Sequence, residues 1–184
     1  MTRLIDDVVV GLQCNLSQIA GYSDKEIEKI ESFYSIKVGG DFRLFLQEFG
    51  RSSGDVLLPD LIFYQGYYAA KTPAMISGHL AQQFEFREDL IRNNRPFRSG
   101  SPFLISIESE TQFFFLRTRA DEPIRVTTVE DDYGQLSDNP EIVYHFDENT
   151  GMVSNTKRTF REYLKSQVRL SETERVGTGE MIKI

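Results

Sequence analysis

The sequence predicts an α+β fold in which a twisted, mainly antiparallel sheet is flanked by N-terminal helices and a C-terminal helix. Apolar residues recur at helical spacing up to residue 50, segments rich in β-branched and aromatic residues follow from residue 103, and helical spacing returns near residue 160. The chain has 184 residues, of which 40% are hydrophobic and 27% charged, so it can bury the core of one globular domain. We expect a single domain over residues 1–184 with a core at about 4–168.

Two short helices joined by a diglycine are predicted between Tyr22 and Gly50. Ser23 and Glu26 have the spacing of a capping box, in which each side chain binds the other residue's backbone N–H. Asp41 is predicted to cap the second helix, and Gly50 to end it. Each helix should bury one apolar stripe. The stripes are Ile27, Ile30, Phe33 and Tyr34 in the first helix, and Phe42, Phe45, Leu46 and Phe49 in the second, while Lys25, Glu28, Lys29 and Glu31 should face outward.

Further helices and loops are predicted on either side of this hairpin. Residues 4–16 should form a short helix docked on the core, and residues 51–59 should form a loop. An aromatic-rich irregular or strand-like stretch covers residues 61–68, and residues 74–94 have a mostly helical pattern. The core candidates of that helix are Ile76, Leu80, Phe84, Leu90 and Ile91.

The C-terminal half is predicted to form the sheet and a last helix. Strands are expected over residues 103–107, 112–117, 124–129 and 142–146, and an antiparallel meander is the simplest arrangement. Residues 108–111 and 147–151 have the composition of hairpin turns. Ser154 or Thr156 should cap the last helix, and residues 171–184 should form a loose tail. The apolar face of that helix is Phe160, Tyr163, Leu164 and Val168.

Motifs at both ends of the chain resemble those of the SUKH superfamily. Residues 23–50 contain the capping box, Ile-x-x-Ile-Glu and Asp-Phe-Arg-x-Phe-Leu-x-x-Phe-Gly. Residues 142–164 contain Ile-Val-Tyr-His-Phe-Asp, a turn ending in glycine, and Thr-Phe-Arg-Glu-Tyr-Leu. The motifs occur in the family's order and span roughly residues 4–168. The family's usual Leu-Pro between the first two helices is Val-Gly-Gly here, and its Asn-Gly after the second helix is Gly-Arg.

The resemblance implies a SUKH-like α+β domain that acts by binding another protein. The superfamily includes relatives of a fungal cell-wall-synthesis regulator and many bacterial immunity proteins. The resemblance implies, as the first interpretation, a cytosolic immunity protein that neutralises a cognate toxin. Many toxins in this setting are nucleases. The alternative is a regulatory or scaffold module of the cell-wall-synthesis-regulator type, with several partners and weaker binding.

Negative charge is concentrated in residues 121–151, which hold nine acids and one base within a chain of net charge −7. Such a field disfavours nucleic acid and anionic membranes as ligands and would steer a basic protein toward the chain. A solvated loop rim has the same composition, and the aromatics of residues 61–68 are as compatible with core as with surface. Tyrosines serve well as interface anchors. The predicted partner-contact residues are Tyr64, Tyr67, Tyr68, Glu108, Glu110, Asp131, Asp132 and Tyr133.

Patterns for catalysis or metal binding are weak in this sequence. The Gly-x-Ser-x-Gly pattern around Ser52 follows a predicted helix, whereas a nucleophile elbow follows a strand. His79 and His145 have no ligand at metal-binding spacing, and His145 should make a local hydrogen bond on a strand. Glu108 and Glu110 lack the second carboxylate pair across a cleft that a glycosidase would need. We expect no enzyme activity, no cofactor and no metal.

The N-terminus and the single cysteine bear on cellular location. Asp6 and Asp7 interrupt the apolar run that a signal peptide requires, and no stretch is long enough to span a bilayer. Cys14 has no cysteine to pair with inside the chain, and its apolar neighbours favour a buried small hydrophobe. We therefore expect a cytoplasmic protein that binds a protein partner and neither nucleic acid nor membrane.

Overall fold

A four-stranded antiparallel sheet lies at the centre of the computed structural model, and helices pack on both of its faces. The structure describes residues 3–11, 16–53, 56–57, 73–93, 101–109, 111–118, 137 and 139–168. The predicted α+β class is confirmed. The helices are α1 (Leu4–Val8), α2 (Asp24–Tyr34), α3 (Gly40–Phe49), α4 (Pro73–Arg92) and α5, described over residues 160–168. The strands are β1 (Ile19–Ala20), β2 (Ser52–Ser53), β3 (Ser101–Ser109), β4 (Gln112–Thr118), β5 (Ile142–Asp147) and β6 (Met152–Thr159).

The sheet contains β3, β4, β5 and β6 in that order, and every neighbouring pair is antiparallel. Because β4 pairs directly with β5, with Phe115 opposite Tyr144, the predicted strand 124–129 does not lie between them. The predicted antiparallel meander is confirmed, but β4 is followed in it by β5 and not by the predicted strand 124–129, since β-propensity marks a segment without specifying its partner. Residues 124–129 themselves lie outside the described residues. A separate ladder pairs β1 with β2, so residues 52–53 of the predicted loop are a strand.

Alternating side chains of the sheet supply two hydrophobic cores, one on each face. The larger core lies between the sheet and α1, α2, α3 and α5, where Phe103 and Phe160 both contact Phe42. The second core lies between the opposite face and α4, where Phe86 packs on Phe115. Burial confirms the apolar faces predicted for α3 and α5. Their buried residues are Phe42, Phe45, Leu46 and Phe49 in α3, and Phe160, Tyr163, Leu164 and Val168 in α5.

The N-terminal helix is shorter than the sequence predicted. Gly11 has a φ of +85°, a left-handed conformation that a helix cannot continue through, and α1 has already ended at Val8. Glu48 of α3 holds the start of α1, because its carboxylate accepts from the Leu4 N–H at 3.3 Å and from the Ile5 N–H at 2.6 Å. The predicted docking of this helix on the core is thus confirmed.

The capping box predicted at the start of α2 is present, but the end of this helix differs from the prediction. Glu31 was predicted to face outward and is 7% exposed, whereas Phe33 was predicted to be buried and is 47% exposed. Ser35 has a φ of +54° and turns the chain back over the last turn of α2. The Val38 N–H then donates to Glu31 Oε1 at 2.8 Å, so the buried carboxylate fixes the connection to α3.

The buried face of α4 also differs from the prediction. Leu90 is buried as predicted, but Phe84 and Ile91 are 64% and 59% exposed. Gln83 and Phe86 are buried in their place. The face of α4 that contacts the sheet therefore includes a polar residue, which apolar spacing alone does not predict. The side chains of Ile76 and Leu80, also predicted as core, lie outside the described residues.

Gln83 covers part of the edge of β3 with which no described strand pairs. Its Nε2 donates to the Pro102 carbonyl at 3.0 Å, and its Oε1 accepts from the Leu104 N–H at 2.8 Å. One side-chain amide therefore makes the pair of hydrogen bonds that another strand would make at this position. Covering an edge in this way protects it from pairing with other chains.

The cap of α5 lies later in the chain than predicted. Since β6 continues to Thr159, Ser154 and Thr156 belong to a strand and do not cap the helix. The Thr159 N–H donates to Glu162 Oε2 at 2.8 Å, and the Glu162 N–H donates to Thr159 Oγ1 at 3.3 Å. This reciprocal pair is a capping box, and it sits where the strand turns into the helix.

Candidate interaction surface

Two hairpin turns lie side by side at one end of the four-stranded sheet. One joins β3 to β4 and the other joins β5 to β6, as the sequence predicted. The Glu148 N–H donates to the Thr111 carbonyl at 3.0 Å, so the two turns form one continuous surface. The last row of paired residues across the strands is Ser109, Gln112, Asp147 and Met152.

Three carboxylates belong to this end of the sheet, and we call Glu108, Asp147 and Glu148 the acidic hairpin end. Glu108 and Glu148 are exposed, and Asp147 is half-buried. None of the three forms an ion pair with a cation among the residues that the structure describes. Their negative charges are therefore not neutralised within this part of the chain.

Hydrogen bonds order two of these carboxylates, those of Asp147 and Glu108. Gln112 Nε2 and the Asn149 N–H both donate to Asp147 Oδ1, at 2.9 and 3.0 Å. Desolvation raises the pKa of Asp147, but its hydrogen-bond donors outweigh this effect and hold the pKa below its ordinary value. In α5, Gln167 Nε2 donates to Glu108 Oε1 at 3.0 Å. Because these side chains are already ordered, a partner would bind them at a smaller entropic cost.

Of the eight predicted contact residues, only Glu108 lies in the described part of the chain. Sequence reasoning missed Asp147 and Glu148 as contacts, although both belong to the acid-rich segment. Their position at the same end of the sheet as Glu108 depends on the direct pairing of β4 with β5, which the sequence did not predict. The other predicted contacts, Tyr64, Tyr67, Tyr68, Glu110, Asp131, Asp132 and Tyr133, lie outside the described residues.

A cleft of about 570 Å³ opens at the opposite end of the sheet, and we call it the diglycine cleft. Gly39 lines it with an extended backbone, and a Cβ at this position would meet no atom within 4 Å. The cleft therefore has room for a larger side chain at residue 39. Its apolar wall is formed by Val38, Phe42, Leu116 and Phe160, and its polar rim by Lys37, Arg117, Asn139 and Glu141.

Glu141 caps α3 at one wall of the diglycine cleft. Its Oε1 accepts a hydrogen bond of 2.8 Å from the Asp41 N–H. Gly40 has a φ of +52°, and a Cβ there would lie 1.6 Å from the same oxygen. The positive φ thus favours glycine at this position, and a side chain there would displace the Glu141 carboxylate. Asp41 was wrongly predicted to be the N-cap, which is Gly39.

The side chain of Asp41 binds α5 instead of capping α3. Arg161 Nε donates to Asp41 Oδ2 at 2.9 Å, and Arg161 Nη1 donates to Asp7 Oδ2 at 3.0 Å. Lys165 Nζ donates to Asp7 Oδ1 at 2.7 Å. Hydrogen bonding to Asp41 raises the pKa of Arg161 above its ordinary value. These four charges join α1, α3 and α5, so they hold the helical layer together.

Ser52, of the Gly-x-Ser-x-Gly pattern, and His145, for which a local hydrogen bond was predicted, both lie on strands. Ser52 lies in β2 directly after α3, whereas a nucleophile elbow joins a strand to a following helix. His145 Nε2 is hydrogen-bonded to Gln112 Oε1, which confirms the local hydrogen bond predicted for it. The described residues contain no group of three or more His, Cys, Asp or Glu that could hold a metal ion. Cys14 and the side chain of His79 lie outside them.

Comparison with known proteins gives no relative: no protein-family model, curated protein or solved structure matches the chain. Within the described ranges, none of the helices is both long and apolar enough to cross a lipid bilayer. The fold and surface define an α+β protein with an acidic end of the sheet that no cation of the described residues neutralises.

Proposed function

We propose that this chain is a SUKH-type immunity protein that binds and neutralises a cognate toxin through the acidic hairpin end. The observation that carries the proposal is that three carboxylates lie at this end of the sheet, two of them held by hydrogen bonds, and that no described cation neutralises them. The motifs shared with the SUKH superfamily at both ends of the chain support the immunity role, and the α+β fold is compatible with it.

The negative charge of the acidic hairpin end indicates which kind of partner surface it would bind. A surface formed by Glu108, Asp147 and Glu148 complements a cluster of Lys and Arg, and complementary charges accelerate association by a factor of about 10 to 1,000. A nuclease must carry such a cluster, because it binds the phosphate backbone of its substrate. A carboxylate surface seated on that cluster would exclude the nucleic acid. The proposed toxin is therefore a basic protein, and a nuclease in particular.

The remaining predicted contacts extend the same surface in this proposal. Asp131, Asp132 and Tyr133 belong to the acid-rich segment, and Glu110 follows two residues after Glu108 in the sequence. If the segment acts by steering, reversing the charges of Asp131 and Asp132 should lower the association rate and the salt dependence of binding. A rate and a salt dependence equal to those of the unmodified chain would remove this segment from the proposal.

Co-expression tests the proposed function. The reading frame immediately upstream of this chain should encode the toxin, and its induction alone should stop growth. Growth should return when the chain is expressed with it, and Glu148→Lys should weaken this rescue. Glu28→Lys is the matched control, because it makes the same charge change on an exposed residue of α2. Toxicity that is unaffected by the unmodified chain would contradict the immunity role.

A further inference from the structure

The diglycine cleft has the size and the lining of a small-molecule site. Its volume of about 570 Å³ lies within the range of about 300 to 1,000 Å³ that is typical of ligand pockets. Such pockets combine mostly apolar walls with a few polar groups that orient the ligand. The buried side chains of Val38, Phe42 and Leu116 border this cleft. An apolar group of a ligand that packs on them would be removed from water.

Gly39 keeps one side of the cleft open. Its backbone is extended, with a φ of −146° and a ψ of −176°, so this position does not need the conformational freedom of glycine. A Cβ at this position would meet no atom within 4 Å, and Ser, Asp or Asn would cap α3 better than glycine does. Glycine is also the residue that lets a ligand approach the backbone closely. The open space at Gly39 is consistent with that role.

Two cations, Lys37 and Arg117, line the cleft. Lys37 Nζ lies 3.5 Å from one oxygen of the Glu31 carboxylate, and Arg43 Nη1 lies 3.9 Å from the other oxygen. One carboxylate is thus shared by two cations. Arg117 Nη1 donates to the Ser137 carbonyl at 3.0 Å, which is a neutral acceptor. A guanidinium has five N–H donors, so it can bind this carbonyl and a carboxylate at the same time.

Glu141 is the acid among the described residues that line the cleft. Its Oε1 accepts from the Asp41 N–H at the start of α3, where the helix dipole is positive and offsets a negative charge. The charges of Lys37 and Arg117 therefore outweigh that of Glu141. The cleft combines an apolar wall with a net positive rim, and this combination complements a ligand that has an apolar body and a carboxylate.

We propose that the diglycine cleft binds a small amphipathic carboxylate. The alkyl or aryl group of the ligand packs on Val38, Phe42 and Leu116, and its carboxylate binds Lys37 and Arg117. This site goes beyond the proposed function, because it lies at the end of the sheet opposite the acidic hairpin end and requires no toxin. For a ligand of about ten non-hydrogen atoms, the dissociation constant should be on the order of 100 μM.

Isothermal titration of the purified chain with octanoate and with 4-phenylbutyrate tests the ligand class. At least one of them should bind saturably with one-to-one stoichiometry. Octylammonium has the same alkyl chain as octanoate and the opposite charge, so it should bind at least about tenfold more weakly than the carboxylate that binds. Absence of saturable binding of both carboxylates would overturn the proposal. Binding of octylammonium that is equally tight or tighter would overturn the charge assigned to the ligand.

Variants of two lining residues test the site. Gly39→Phe places a ring in the cleft and should weaken binding by about tenfold or more, whereas Gly39→Ala should retain binding. Lys37→Gln should weaken binding by about threefold or more, because it removes one cation from the rim. Lys29→Gln is the matched control, since Lys29 is exposed on α2 and does not line the cleft.

Circular dichroism and urea unfolding establish that each variant is folded before titration. Binding to both Gly39→Phe and Lys37→Gln that equals binding to the unmodified chain would place the carboxylate elsewhere and overturn the site. If growth rescue fails while octanoate or 4-phenylbutyrate still binds, the proposed function is wrong and the cleft proposal stands. The two proposals are therefore tested separately.

Discussion

Glu141 Oε1 accepts a hydrogen bond of 2.8 Å from the Asp41 N–H, across 100 residues of sequence. This contact joins the residue before β5 to the first turn of α3, and the side chain of Asp41 continues the connection to Arg161 of α5. The helical layer is thus fixed to the sheet at the end opposite the acidic hairpin end. Changes at the two ends should therefore be separable, with stability affected at one and partner binding at the other.

The two adjacent glycines provide the first test. Gly40→Ala should lower the free energy of unfolding by about 1 to 2 kcal/mol, because a Cβ at φ +52° is strained and displaces Glu141 from the cap. Gly39→Ala should lower it by less than about 1 kcal/mol, because a Cβ there meets no atom within 4 Å. Urea unfolding measures both values. Equal losses would contradict the role assigned to Glu141.

The edge of β3 provides the second test of the structure. Gln83→Leu removes both hydrogen bonds to the strand from a residue that is 1% exposed, so we expect a loss of about 2 kcal/mol. The amide of Leu104 should also exchange its hydrogen faster, since it loses its bond to Gln83. The neighbouring half-buried Gln82 provides the control substitution Gln82→Leu. Unchanged exchange at Leu104 in the Gln83 variant would mean that the amide does not protect this edge.

The start of α5 provides the third test of the structure. Thr159→Ala should cost about 1 kcal/mol, because it removes the hydroxyl that accepts from the Glu162 N–H. Ser154→Ala, at an exposed position within β6, should change stability by less than about 0.5 kcal/mol. Thermal unfolding of the two variants compares them directly. If Ser154→Ala lowers stability more than Thr159→Ala does, α5 is capped by Ser154, as the sequence pattern indicated, and not by Thr159.

The pH dependence of stability provides the fourth test of the structure. Hydrogen bonds from Lys165 and then from Arg161 lower the pKa of Asp7 below its ordinary value of 3.8. The folded-state pKa is thus below the unfolded-state pKa, so Asp7 stabilises the fold above pH 3.8 and loses this effect as pH falls through the folded-state pKa. Asp7→Asn should flatten the fall of stability in this acidic range. Urea unfolding at a series of pH values measures the slope.

Asp6→Asn is the matched control, since Asp6 lies on the same helix, is exposed, and makes no ion pair with any described residue. A slope change in this variant as large as that in Asp7→Asn would show that charge removal alone is responsible. The network with Arg161 and Lys165 would then not account for the acid sensitivity.

Local patterns in the sequence predicted much of the fold. The capping box at Ser23, the buried face of α3 and both hairpin turns depend on residues close together in the chain, and all are present. Glu31 and Asp41 were assigned wrongly because their partners, the Val38 N–H and Arg161, are placed by tertiary structure. A polar residue occupies the same position in the helical spacing whether its side chain faces solvent or binds a buried hydrogen-bond partner.

The candidate surface was predictable only in part, for the same reason. Glu108 was identified from its position at a predicted turn, and the excess of acids pointed to residues 121–151. The placement of Glu108 and Asp147 at the same end of the sheet follows from the pairing of β4 with β5, a long-range contact that β-propensity does not specify. Phe84 and Ile91 were assigned to the core because apolar spacing alone does not distinguish the face toward the sheet from an exposed flank.

The central claim is that the acidic hairpin end binds a basic toxin. Isothermal titration of the purified chain into the purified product of the upstream reading frame, at low and at high salt, tests it most directly. We predict one-to-one binding that weakens as salt rises, and weaker binding with less salt dependence in Glu148→Lys than in the matched Glu28→Lys variant. Absence of binding, or identical affinity and salt dependence in the two variants, would contradict the claim.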